Sequence, residues 1–312
     1  MEMKRIVTVT DAVDNRGNPT NGVRVGRALR RLGHDVVRVG GGTVSRATLA
    51  GADLILAFGT LVRAEAATPG IFSKVRTMKN DATPLALWYF DLCNPAMKHD
   101  PWKFPTMKRI APTLDWLITT DASYPWELYA RNYLHLMQGI SPEDFAGPCA
   151  GPEPRRFDVI FTGGINRPFH DRKSALDTLR RSFSVDIYGR GSARRVYGQA
   201  FFDAYQRARV AFVPAPPKEA ARDYWSNRIY LAAATGTPCV VGYAEGLEQH
   251  YEDGVEVWFF RSGKELIQGV RSLIDDPDYR LVMGQAARER TLTEHSYDKR
   301  CETLLGAIWA SN

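Results

Sequence analysis

Three groups of residues carry chemistry. The first is FTGGINRPFHDRK, in which Gly163 and Gly164 follow an apolar, strand-like run and Arg167, Arg172 and Lys173 come within a few residues. A glycine turn between a strand and a helix brings backbone N–H groups close to a phosphate, and neighbouring cations neutralise it. Tight turns also use glycine for geometry alone. The second group is a set of acids. Asp11 and Asp14, beside Asn15, lie in the polar loop TDAVDNRGNPTNG, and Asp91 ends the run PLALWYFD. A carboxylate at the C-terminal end of a strand can take a proton from a hydroxyl; the commoner work of such an Asp is to cap a helix or close a turn. The third is MKHDPWKFPTMKR, where Lys98, Lys103, Lys108 and Arg109 are interleaved with Trp102 and Phe104. Such a stretch can track phosphates and stack bases, and as a plain loop it would hold a partly buried tryptophan. His99 and His170 are loop histidines. The sequence shows no Ser-His-Asp order, no metal-ligand cluster and no Walker-type phosphate loop.

The scaffold that must hold these residues is written in the hydrophobic pattern. Short apolar runs alternate with amphipathic stretches, the pattern of parallel βα units. RIVTVT (Arg5 to Thr10) reads as a buried strand. In GVRVGRALRRLG, Val25, Ala28, Leu29 and Leu32 share a helical face and Gly33 stands where a helix ends. The runs DVVRVG, ADLILAFG, PLALWYFD, DWLITTD and YLHLMQG complete a first domain, residues 1–140. Residues 141–156 (SPEDFAGPCAGPEPRR) hold four prolines and two glycines, fit neither periodicity and read as a linker. A second series follows: FDVIFTGG, VDIYGRG, VAFVPA, TPCVVGY and VEVWFF. Helical stretches lie between them, among them one with Leu266, Ile267, Val270, Leu273 and Ile274 on one face and one started by Asp276-Pro277-Asp278. This is a second domain, residues 157–290, and a last helix over 291–312 is expected to cross back to the first. Two doubly wound parallel sheets of this kind place ligands at a cleft, outside the carboxyl ends of their strands. The pattern alone also suits a periplasmic-type binding protein or an epimerase.

Composition narrows the classes. The 312 residues are enough for two α/β domains, and 44% apolar with 24% charged residues is a globular mixture. No run approaches the roughly 18 apolar residues of a membrane span, and MEMKRIVTVTD leads straight into a strand without a secretory pattern. Cys93, Cys149, Cys239 and Cys301 stand singly, without metal-ligand or CxxC spacing, so a reducing, cytoplasmic setting is expected. A net charge of +6 suits anionic ligands and permits nucleic acid without requiring it.

The segment SNRIYLAAATGTPCVVGYAEGLEQHYEDGVEVWFFRSGKELIQGVRSLIDDP, with the tail AARERTLTEHSYDKRCETLL, resembles nucleotide-sugar glycosyltransferases of the GT-B-like, family-1 type. It is most similar to their spore-maturation-protein-B-like group. The matching elements keep their order: Arg228 and Tyr230, the turn Ala234 to Pro238, Gly246-Leu247-Glu248, Asp253-Gly254, and Arg290, His295, Tyr297 and Arg300. The resemblance covers roughly Phe157 to Leu305 and is looser before it.

It implies a two-domain transferase with a nucleotide-diphosphate sugar as donor substrate, held by the second domain, and no required cofactor or metal. Gly163, Gly164, Arg167, Arg172, Lys173 and Arg228 would hold the diphosphate, Arg228 neutralising it as it leaves. Tyr188, Gly189 and Gly191 would lie against the nucleobase, and Asp223 and Asn227 near the donor sugar. Many relatives hold the ribose hydroxyls with a glutamate where this chain has Leu231, so Glu245 or Glu248 would take that contact. The first domain would bind the acceptor, with Asn15, Trp102 and Lys103 near it and Asp91, Asp14 or Asp11 as base. Two other functions fit the residues: a DNA glycosyltransferase acting on a hydroxylated base through the basic aromatic stretch, and a non-catalytic sugar- or nucleotide-binding protein.

Overall fold

The computed structural model describes residues 2–10, 20–96, 100–145, 156–165, 170–216 and 223–310. Asp11, Asp14, Asn15, Lys98, His99, Cys149, Arg167, the end of the chain and most of the expected linker lie outside them.

In chain order the elements are β1 (Arg5–Val9), α1 (Asn21–Arg31), β2 (Asp35–Val39), α2 (Arg46–Leu49), β3 (Leu54–Phe58), α3 (Gly59–Ala67), α4 (Ile71–Met78), β4 (Leu85–Tyr89), α5 (Lys103–Ile110), β5 (Trp116–Thr119) and β6 (Tyr133–His135). There follow β7 (Phe157–Thr162), α6 (His170–Arg180), β8 (Val185–Tyr188), α7 (Gln199–Gln206), β9 (Ala208–Val213), α8 (Arg228–Ala233), β10 (Cys239–Gly242), β11 (Trp258–Phe260), α9 (Gly263–Asp275), α10 (Pro277–Glu294) and α11 (Tyr297–Ala310). The chain forms two compact units, Met1–Ser141 with Tyr297–Asn312, and Pro142–Ser296.

The first unit is a six-stranded sheet, β2-β1-β3-β4-β5-β6, all parallel. Its strands are apolar on both sides, as a sheet covered on both faces requires. Alternation along each strand divides them: Val7, Ile55, Leu87 and Leu117 join the helices α3, α4 and α5 in one core, while Ile6, Leu56, Trp88 and Ile118 join α1 and α11 in the other. Helix α1 buries Val25, Ala28 and Leu29, and Gly33 past its end takes φ 88°, the left-handed conformation that glycine adopts without cost. The strand order reverses between β1 and β3, which makes the carboxyl ends of those two strands the topological switch point.

The second unit repeats the arrangement with five parallel strands, β11-β10-β9-β7-β8, and its order reverses between β7 and β9. Val159, Phe161, Val210, Phe212 and Val240 pack under α6, α9 and α10. Ser262 caps α9 by accepting from the Glu265 N–H, and Asp276 caps α10 through the Tyr279 N–H, with Pro277 in its first turn.

The last helix begins at Tyr297, later than the expected 291. The break falls at His295, which is buried and hydrogen-bonds the His250 carbonyl through Nε2 (3.1 Å), while the Tyr297 N–H goes to the Ile140 carbonyl at 2.8 Å. Helix α11 then packs beside α1 within the first unit, tied by Arg31 to Asp298 at 2.9 Å.

Candidate functional site

At the carboxyl end of β7 two glycine turns meet backbone to backbone. The Gly163 N–H donates to the Tyr188 carbonyl at 2.8 Å, and the Ile165 N–H to the Arg190 carbonyl at 3.0 Å. A Cβ on Gly189 would stand 2.3 Å from the Gly163 oxygen, so nothing larger than glycine fits there. Gly163, Gly189 and Gly191 all have positive φ, at 152°, 132° and 91°, where side chains are strained.

Arg228, the first residue of α8, reaches this turn. Its Nε donates to the Thr162 carbonyl, its guanidinium stands 5.3 Å from the centre of the Phe161 ring, and its Nη1 is buried without a hydrogen-bond partner. Burial lowers its pKa against the opposing influence of Tyr205 and Tyr224. Arg172 on α6 is lowered too, first by burial and then by the charge of Arg228, with Tyr224 again opposing. The charge of Arg228 thus acts on Arg172, and both side chains are half-buried. A buried, incompletely bonded cation is costly unless an anion compensates it, and the Arg228 guanidinium, with Nη1 unbonded beside the turn, is such a group.

The other donor-site expectations divide. Lys173 is exposed and turned along its own helix to Asp177 at 2.6 Å, so it is not part of this cluster. Tyr188 gives its hydroxyl to Asp186 (2.6 Å) and one ring face to the Arg194 guanidinium (4.7 Å), which also pairs with Asp186. The Arg194 carbonyl accepts the Gly189 N–H at 2.8 Å, so Arg194, which no motif marks, shapes the loop after β8.

Asp223 holds φ 48°, sends its N–H to the Glu245 carbonyl at 2.8 Å, and places Oδ1 2.3 Å from where a Cβ on Gly246 would be. That acid therefore locks the turn at Gly246, itself at φ 96°. Glu248 accepts the Gly246 N–H at 3.0 Å. Its carboxyl is held below the ordinary range chiefly by its own N–H, then by Gly246, Tyr243 and Arg261. Glu245 is exposed. Asn227 precedes α8 without capping it through its side chain. Leu231, three residues after Arg228, lies on the same side of that helix. Beneath the loop, Trp225 is buried and donates from Nε1 to the Tyr230 hydroxyl at 2.8 Å, a support that the sequence reading did not single out.

In the first unit, Asp91 is exposed just past β4 and pairs with Lys103 at 3.3 Å; Lys103 also pairs with Asp100 at 3.1 Å. Burial presses the Lys103 pKa down, and the two carboxylates more than restore it. The loop that carries Asp91 is pinned by Asp121, fully buried at the end of β5, which accepts from the Cys93 N–H at 2.7 Å and from the Ser123 N–H at 2.9 Å.

Of the basic aromatic stretch, Lys98 lies outside the described residues and the others are engaged within the unit. Lys103 is neutralised as above, Arg109 pairs with buried Glu65 at 2.5 Å, Lys108 stands 5.1 Å from the centre of the Tyr129 ring, and Trp102 packs against the core. Pairing with Asp91, Asp100 and Glu65 takes up the charge of Lys103 and Arg109. Among the described residues no group of three His, Cys, Asp or Glu side chains is placed to hold a metal, and no helix is long and apolar enough to cross a membrane.

Residues 170–306 match the family described as glycosyl transferase-like. By sequence, no curated protein matches the chain. Among solved structures it is similar to sucrose-phosphate synthase from Thermosynechococcus elongatus, with TM-score 0.65 and 13% identity over 99% of this chain and 100% of that one. It is similar to the same degree, TM-score 0.65 at 12% identity, to Anabaena Alr3699/HepE in complex with UDP and glucose, covering 98% of this chain and 100% of that one. An alpha-glucosyltransferase in complex with UDP gives TM-score 0.65 at 9% identity, over 98% and 99% of the two chains. At these identities the likeness establishes the fold, two parallel-sheet α/β units of the GT-B glycosyltransferase type. These likenesses lend the DNA alternative no support.

Proposed function

We propose that the protein is a glycosyltransferase that moves a hexose from a nucleotide diphosphate, UDP foremost, to a hydroxyl acceptor. The observation that carries this is the pair Arg172 and Arg228 beside the Gly163-Gly164 turn, with Nη1 of Arg228 buried and unbonded. The matched family over residues 170–306 and the UDP present in two similar structures support it. The order of motifs from Arg228 to Arg300 supports the spore-maturation-protein-B-like group.

In this reading the diphosphate lies beside Arg228 and Arg172 at the Gly163-Gly164 turn, its charge met by the guanidiniums. As the glycosidic bond breaks, negative charge grows on the leaving phosphate oxygens, and cations already fixed there stabilise it without reorganising. Leu231 offers the ribose no carboxylate, and Glu245, exposed on the next turn, is the acid proposed for that contact. In the first unit Asp91 serves as base: its exposed carboxylate, placed just past β4 and bonded to Lys103, can accept the acceptor's hydroxyl proton. Asp11 and Asp14 are the other acids suited to that role. Titration of UDP against the protein, followed by melting temperature with EDTA present, tests the donor assignment. A stabilisation that grows with ligand concentration is expected, and its absence would remove the nucleotide from the site.

A further inference from the structure

The first unit contains a cavity of about 350 Å³ whose lining residues have no role in the chemistry above. It opens beside Thr10, directly past β1, and is lined by Gly42 after β2, Leu61 on α3, and Ile71, Lys74 and Val75 on α4. The switch point of this sheet lies between β1 and β3, so the cavity is where an open parallel sheet binds its ligand. Its volume is at the small end of ligand pockets, which run from about 300 to 1,000 Å³. That is room for a compact molecule and not for a polymer.

The lining is specific. Val44, Leu61, Ala64, Ile71 and Val75 make an apolar wall, with Thr10 and Thr60 the hydroxyl-bearing residues of the lining, so most of the surface offers nothing to a sugar's many hydroxyls. At Gly42 an added Cβ would meet nothing within 4 Å. Lys74 is exposed at the rim, and its ammonium has no acidic partner among the described residues. We propose that this cavity binds a small, largely apolar hydroxy acid, its body against Leu61 and Val75 and its anionic group toward Lys74, as the acceptor of sugar transfer. The acceptor role rests on the glycosyltransferase reading; the binding site does not.

Calorimetric titration of 4-hydroxycinnamate, 4-hydroxycinnamyl alcohol and maltose tests it. The acid is expected to bind saturably and the alcohol roughly threefold to fivefold more weakly, the size of a solvent-exposed ion pair. Lys74→Gln should equalise the two. Gly42→Leu, whose side chain enters open space, should weaken both tenfold or more without lowering the melting temperature. No saturable binding of the acid, indifference to Gly42→Leu, or tighter binding of maltose would overturn the site. With UDP-glucose supplied, transfer to the hydroxycinnamate hydroxyl is expected: the anomeric C–O bond to the diphosphate breaks and UDP leaves, a C–O bond to the phenolic oxygen forms, and the phenolic proton passes to the base carboxylate. Bound acid left unglycosylated while the donor is hydrolysed would overturn the acceptor role. If UDP does not bind while the acid does, the donor reading fails and the cavity stands.

Discussion

Arg228 occupies the place that a side chain at Gly163 would need: a Cβ there would stand 2.8 Å from Nη2 and 2.9 Å from the Phe161 ring. Together with φ 152° at Gly163, this makes the glycine a condition for the position of the arginine. Gly163→Ala is expected to push the guanidinium off the Thr162 carbonyl and to weaken UDP binding by roughly tenfold, one displaced charge-assisted bond. Calorimetry on the variant checks this; unchanged affinity would separate the turn from the diphosphate.

The unliganded protein carries a cost at Arg228. In the donor reading, a buried guanidinium nitrogen without a partner is a cost that a bound anion offsets. Arg228→Met keeps the apolar stem over Phe161 and removes the charge. Its melting temperature without ligand is expected to equal or exceed that of the wild type. A fall of many degrees would show that the guanidinium is structural.

Much of this was readable in the sequence, and what was not has a common cause. Strand periodicity from Arg5 to Phe260 and the helical faces of α1 and α9 are local properties, and they predict two doubly wound parallel sheets. Gly163 and Arg228 were visible because a glycine turn after a strand and a cation on a helix are local signals. The partners were not. Lys103 spends its charge on Asp91, and Arg109 reaches Glu65 44 positions away. Arg194 covers Tyr188, and Asp121 holds the backbone of Cys93 28 positions earlier. Side-chain pairing across the fold decides whether a basic stretch is a surface or a set of ion pairs, and no periodicity records it. The cavity beside Gly42 and Lys74 belongs to the same class, because its wall comes from four separate elements.

Asp91→Asn preserves shape and removes the proton acceptor. Turnover is expected to fall by roughly 10²–10⁴, the usual contribution of a general base, with UDP affinity unchanged. Steady-state rates on the variant, alongside Asp14→Asn and Asp11→Asn, check the assignment. Full activity in Asp91→Asn with loss in either of the others would move the base to the loop after β1.

Glu65 gives the fold an acid limit. Burial pushes its pKa up, but the Gly70 N–H, Arg109 and the Phe72 N–H together bring it below the ordinary 4.5. A depressed carboxylate contributes stability above its unfolded value, and that contribution is lost as pH falls through the folded value. Glu65→Gln should therefore be less stable than wild type by about 1.5–3 kcal/mol at neutral pH, the two converging as pH drops below 4.5. Denaturant melts at a series of pH values measure it, and a difference that stays constant with pH would refute the ionic role.

The most direct measurement compares UDP with uridine on wild type and on Arg228→Met. The two ligands share base and ribose and differ by the diphosphate. With the diphosphate at Arg172 and Arg228, the substitution should weaken UDP by on the order of 10- to 150-fold, equivalent to about 1.5–3 kcal/mol for hydrogen bonds to a charged group, and leave uridine within about twofold. Equal losses for both ligands, or UDP binding untouched by the substitution, would contradict a diphosphate held at the carboxyl end of β7.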